Sequence, residues 1–178
     1  MITSHLLRRA AVPTAAVAVT TALLGGPAMA AGGVVGDAQD RATLAHVRDV
    51  TAKYRDVAVA IADGYRPTDA CVSSPAGGMG LHYVNPALLG SLDPDRPSML
   101  LYAADGEHRT LMGAEWFKAD ADQNLATDAD RPSLFGHAFD GPMPGHQPGM
   151  PVHYDLHVWA WHANPAGDFT PWNPSVNC

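Results

Sequence analysis

The sequence predicts an α+β domain, with one long N-terminal amphipathic helix packed on a mainly antiparallel sheet or partial barrel. Three observations lead there. Apolar residues recur with a helical period over one early stretch; five short strand-like runs follow, separated by turn signals; and no internal repeat is visible. The chain is 178 residues long. A chain of this size can bury one core, so a single domain over 37–178 is expected.

In chain order, residues 1–30 read as a cleaved secretory signal peptide. Arg8 and Arg9 supply a positive start, and residues 10–24 an apolar run too short and too rich in Ala and Thr to span a membrane comfortably. Gly25, Gly26 and Pro27 break any helix, and Ala28-Met29-Ala30 places small residues where a signal peptidase reads. No later segment approaches the length of a membrane-spanning helix. Residues 31–36 then read as a flexible start. From Asp37 or Asp40 as cap, Leu44, Val47, Val50, Tyr54, Val57, Ala58 and Ile61 follow a 3.6-residue period. Arg41, Arg48, Asp49, Lys53 and Asp56 fall on the other side. Gly64 ends this helix and Pro67 prevents its return.

Residues 73–80 read as a turn-rich link. Its glycines lack the Lys-Ser/Thr of a phosphate loop and imply backbone freedom. Strand-like runs are expected over 81–85, 98–103, 109–118, 133–139 and 152–162, with turns such as 93–97 and Asp105-Gly106 between them. Residues 120–130 are similar to a calcium loop at the first three ligand positions, but Leu125 stands where glycine is required and Arg131 where a bidentate glutamate belongs. A solvated acidic loop is the expectation. Residues 141–151 are too rich in Pro and Gly for regular structure and read as a loop presenting His146.

Charge and cysteines narrow the function classes. Losing the leader removes Arg8 and Arg9 and no acidic residue, which takes the net charge from −7 to −9. That excess of negative charge argues against nucleic acid or an anionic membrane surface as partner, and is compatible with cations. The two cysteines, Cys71 and Cys178, lack a CxxC spacing and are expected to form a disulfide in a secreted protein. There is no Gly-x-Ser-x-Gly elbow, so covalent catalysis has little support.

The segment 151–162, PVHYDLHVWAWH, carries the densest chemistry. As a strand it places His153, Asp155, His157, Trp159 and Trp161 on one face, and Tyr154, Leu156, Val158 and Ala160 on the other. Two imidazoles four residues apart on a strand are ~13 Å apart, so they cannot share one metal without ligands from other strands. His82, on the strand after the glycines, and Glu115, a charge among apolar neighbours in 111–117, are such ligands. His108, His137 and His146 lie on or near loops. Imidazole with carboxylate suits zinc, copper, iron or manganese, and Asp155 can instead orient a neighbouring histidine. Trp159 and Trp161 offer a different surface, a stacking platform for a glycan or a contact for a protein partner.

The motifs GMGLHYVNP (78–86), FDGPMPGH (139–146), MPVHYDLHVW (150–159) and NPAGDFTPWNP (164–174) together resemble a group of small exported bacterial proteins of unassigned function. The HYDLH segment is also similar to a strand in another exported group. The resemblance implies an exported, compact protein and carries over no catalytic residue. The leading expectation is a secreted protein binding a transition metal through His82, Glu115, His153 and His157, with Asp155 orienting one of them. The alternative is a non-catalytic extracellular binding module using Trp159 and Trp161. A third is that the histidines satisfy the polar interior of a small barrel.

Overall fold

The computed structural model describes residues 32–103 and 108–178, the side chains of 32–37, 69 and 70 excepted. The signal peptide expected over 1–30 lies outside the described residues. Residues 32–178 group as one compact unit.

Helix is a minor part of that unit. The backbone is helical over α1 (Gly32–Thr51), tightens to a 3₁₀ turn over Ala52–Arg55, breaks, and restarts as the short α2 (Val57–Ala62). Described side chains in the first part run only over the 18 residues from Ala38 to 55. The break falls at Asp56, whose backbone is extended (φ −92°, ψ 108°) and whose carboxylate accepts a hydrogen bond from the Ala58 amide at 2.9 Å. A short acidic side chain competes for backbone amides in this way, which favours an N-cap over a helix interior. Past the break Ile61 continues the apolar period by number alone, since it is exposed. The expectation of an α+β fold with one long N-terminal helix is thereby corrected: the molecule is mostly sheet, with a short, interrupted helical segment.

The strands are β1 (Arg66–Ser74), β2 (Gly77–Val84), β3 (Met99–Tyr102), β4 (Leu111–Ala119), β5 (Ser133–Leu134), β6 (His137–Ala138), β7 (Asp140–Met143) and β8 (His153–Val158). Six of them form an antiparallel sheet in the order β1-β2-β3-β4-β8-β7, and β5 pairs with β6 in a separate two-residue ribbon. The stretch 73–80 is not a link between elements: it contains the β1–β2 hairpin, with Ser74 opposite Gly77. Gly77 has φ +130°, and a Cβ there would lie 2.3 Å from the Asn173 carbonyl oxygen. Only glycine lets the C-terminal tail lie this close, bridged to Gly78 through both backbone hydrogen bonds of Asn173 (3.1 and 3.0 Å). The tail ends in a disulfide between Cys71 and Cys178, Cα atoms 5.5 Å apart and 107 residues apart in sequence. A loop that long stabilises the fold by ~4–5 kcal/mol in the chain-entropy account.

The two faces of the sheet differ in chemistry. Tyr83, Leu100, Tyr102, Trp116 and Leu156 form the main core with Val47 and Tyr54 of the helical segment. Each such fully buried side chain contributes roughly 1.5–3 kcal/mol. Polar ends are satisfied in the same layer: the Tyr102 hydroxyl donates to the Tyr54 carbonyl at 2.6 Å, and the Trp161 indole to the Thr51 hydroxyl at 2.9 Å. The opposite face has a small apolar cluster of Leu101, Met112, Trp159 and Val176. Beside that cluster it carries buried titratable side chains.

Candidate metal centre

Antiparallel register brings those side chains together. Glu115 of β4 pairs with His157 of β8 on one side and with Met99 of β3 on the other, while His82 of β2 pairs with Leu101 of β3. Alternation therefore puts His82, Glu115 and His157 on one face of three different strands. The His82 Nε2 atom is 3.1 Å from Glu115 Oε2, and His157 Nε2 is 3.5 Å from the same oxygen. Ligand atoms of the three residues all lie within 4.8 Å of one another. Glu115 is 2% exposed and His157 fully buried.

Close approach here is not hydrogen bonding. Glu115 Oε2, both ring nitrogens of His157, Asp155 Oδ1 and His153 Nε2 are buried without a hydrogen-bond partner, although each lies within 4 Å of an opposite charge. The Glu115–His157 and Asp155–His157 contacts fail a hydrogen bond by alignment, and the His153–Asp155 contact, at 3.7 Å, fails by distance. Buried polar atoms are ordinarily paired, and leaving one unpaired costs on the order of 1–3 kcal/mol. Glu115 Oε2 and His157 Nε2 converge with His82 on one spot, which matches a cation-binding donor set better than a hydrogen-bonded polar interior.

Two further residues extend the row along β8. Asp155 Oδ1 lies 3.4 Å from His157 Nδ1, and Asp155 Oδ2 lies 3.7 Å from His153 Nε2. His153 Nδ1 is 3.1 Å from the Pro151 carbonyl, which only accepts, so that nitrogen carries the proton and donates. Burial pushes the His157 pKa down, but the Glu115 and Asp155 carboxylates outweigh it and raise the pKa to about 9. Burial likewise opposes ionisation of Asp155, yet His157 and His153 hold its carboxyl well below the ordinary carboxylate range. Both shifts express one buried pair. In it the Asp155 carboxylate faces the Nδ1 side of His157 and leaves Nε2 pointed at Glu115, the arrangement in which a carboxylate orients a metal-ligating histidine.

The donor set itself fits a first-row transition ion. Two imidazoles and one carboxylate are the protein ligands of His₂Glu zinc sites and of facial-triad iron sites, both of which keep a position open for an outside ligand. Separations of 3.1 and 3.5 Å between donors suit a common ion at bonds of ~2.0–2.2 Å.

His153 is not in this convergent set, although it shares the face. It sits four residues from His157 along β8, opposite Ala119, with its ring stacked on Phe117 at 4.9 Å between centroids. His146 stands on the β7–β8 connection, its ring 5.3 Å from that of His153. His137 is engaged elsewhere, 2.9 Å from Asp40 and stacked on Phe169. Asp140 was not singled out in the sequence, where it precedes a Pro/Gly-rich run; β7 sets it opposite Asp155, and burial together with the Asp155 charge raises its pKa. In residues 120–130 the carboxylates of Asp120, Asp122 and Asp130 accept from the amides of Asn124 and Ala121, so the loop caps itself.

The tryptophan platform expected on this face is corrected. β8 ends at Val158 and alternation stops with it. Trp159 is 1% exposed and donates to the Thr170 carbonyl at 2.7 Å. Trp161 packs into the main core on the other side of the sheet, with the Arg55 guanidinium 5.3 Å from its ring centroid. The two indoles do not share a free surface.

Among the described residues no helix is long and apolar enough to cross a membrane. Comparison of the chain with protein-family models, with curated proteins and with solved structures finds no match, so the site stands on its own geometry.

Proposed function

We propose that this is an exported metalloprotein in which His82, Glu115 and His157 hold one divalent transition ion, with Asp155 orienting His157. The observation that carries the reading is the convergence of ligand atoms from β2, β4 and β8 within 4.8 Å, with those of Glu115 and His157 buried and without a hydrogen-bond partner. Without a cation, Glu115 Oε2 and both nitrogens of His157 have no hydrogen-bond partner, which costs on the order of 1–3 kcal/mol for each atom left unpaired. When bound, such an ion supplies Lewis acidity to an oxygen or nitrogen donor entering its open position. The chain's own residues set the conditions for that chemistry. The sheet excludes bulk water from one side of Glu115, and the His157–Asp155 contact fixes which ring nitrogen faces the ion. Export is consistent with the leader-like residues 1–30 and with the Cys71–Cys178 bridge.

Cobalt substitution tests the ligand set. Adding Co(II) to chelator-stripped protein should give intense visible d–d absorption saturating at one equivalent. Glu115→Gln or His157→Ala should remove that saturable band while leaving the far-ultraviolet circular dichroism unchanged. A weak, octahedral-type spectrum identical in wild type and both variants would reject the site.

A further inference from the structure

A cavity opens on the same face of the sheet, and nothing in the metal reading accounts for its walls. Its volume is about 400 Å³, within the ~300–1,000 Å³ range of small-molecule sites. The lining divides by chemistry. His82 and Glu115 present polar atoms, and near them lie His153 and Asp155. Most of the remainder is apolar, with Met79, Val84, Met99 and Phe117 from the sheet and Met150 from the β7–β8 connection, while Thr68, His146 and Gln147 add polar atoms. Leu89, which also lines the cavity, is 43% exposed. Among the described residues only Ile61 and Leu125 are comparably exposed large apolar side chains, and neither lines it.

We infer that this cavity binds a small organic molecule with an apolar body and one electron-pair-donating head, of the carboxylate or hydroxamate kind, the head directed at the ion held by His82, Glu115 and His157. The inference rests on the metal reading and names the ligand class of that same site. A wholly polar solute would exchange its hydration for thioether and alkyl walls that return no hydrogen bonds. A wholly apolar one would leave the open position of the ion without a ligand. Only a molecule with both ends matches both parts of the lining. Three protein ligands leave room in a first-row ion's coordination for the head. Methionines at three places in the wall suit an irregular aliphatic or aromatic body, because the thioether chain adapts its rotamers to what it contacts. Leu89, at the solvent-exposed part of the lining, is placed to cover the distal end of that body.

The test is calorimetric titration of zinc-loaded protein with acetohydroxamate, butanohydroxamate and hexanohydroxamate, zinc content being measured on each sample beforehand. Affinity should tighten roughly fourfold per added methylene as apolar surface is buried. In Leu89→Asn, a surface change that leaves the ligand set intact, the gain from butano- to hexanohydroxamate should shrink to within twofold, with acetohydroxamate binding as in wild type. One zinc equivalent with a flat series would overturn the apolar-body inference and leave the metal reading standing. An undiminished chain-length gain in Leu89→Asn would overturn the assigned position of the body. Samples that bind no zinc would overturn both.

Discussion

Among single residues Glu115 is central to the site, its Oε2 lying between two imidazoles. A glutamate in the interior of a sheet strand is held by what its carboxylate meets, and here no hydrogen bond is found for Oε2. Asp155 acts one step away, through His157. Asp155→Asn keeps the shape and removes the charge that orients the ring, so metal affinity should fall ~10–100-fold with stoichiometry unchanged. Competition against a chelator of known affinity reads this directly; unchanged affinity would remove Asp155 from the account. Much of this row is visible in the sequence, because period-2 alternation places His153, Asp155 and His157 on one face whatever the rest of the fold does. What spacing does not contain is register between strands. The pairing of Glu115 with His157 and of His153 with Ala119 depends on long-range contacts, so the sequence offers no means of separating His153 from the three converging donors.

Elements show the same division between local and non-local information. The helical period through Val57 and Ile61 is real as a pattern, yet Asp56 uses its carboxylate on the Ala58 amide and interrupts the helix. A cap residue inside an apolar period is ambiguous from sequence, since the same aspartate can lie on the solvated side of a continuous helix. Asp56→Ala should destabilise the protein by ~1 kcal/mol through loss of this cap, seen as a lower urea midpoint at constant slope. A neutral or stabilising effect would mean that the break has another cause. β1 went unread for a similar reason: Pro67 and the run of small residues toward Gly77 and Gly78 carry turn chemistry, and the strand forms because β2 and the tail at Asn173 give it and its hairpin partners. Likewise the end of β8 at Val158 separates two tryptophans that uninterrupted alternation would place together.

For the whole molecule, the sheet is an asymmetric layer. One face is closed by the helical segment through an aromatic core; the other bears the titratable row and the cavity. The fold class is not legible from local signals, because periodicity overcounts helix and the six-stranded order depends on the non-local pairing of β4 with β8. The Cys71–Cys178 bridge anchors the tail against the first hairpin. The titratable face thereby acquires rigid backing from β2, β4 and β8, as a site with ligands on three separate strands requires.

The measurement that bears most directly on the metal centre is the metal content of the full, untagged chain, quantified by mass spectrometry beside a His82→Ala/His157→Ala variant. Close to one equivalent of a transition ion is expected in the wild type, and its loss in a variant that retains the fold. Wild-type protein that carries no metal, and takes up none when zinc, copper, iron or manganese is offered, would contradict it.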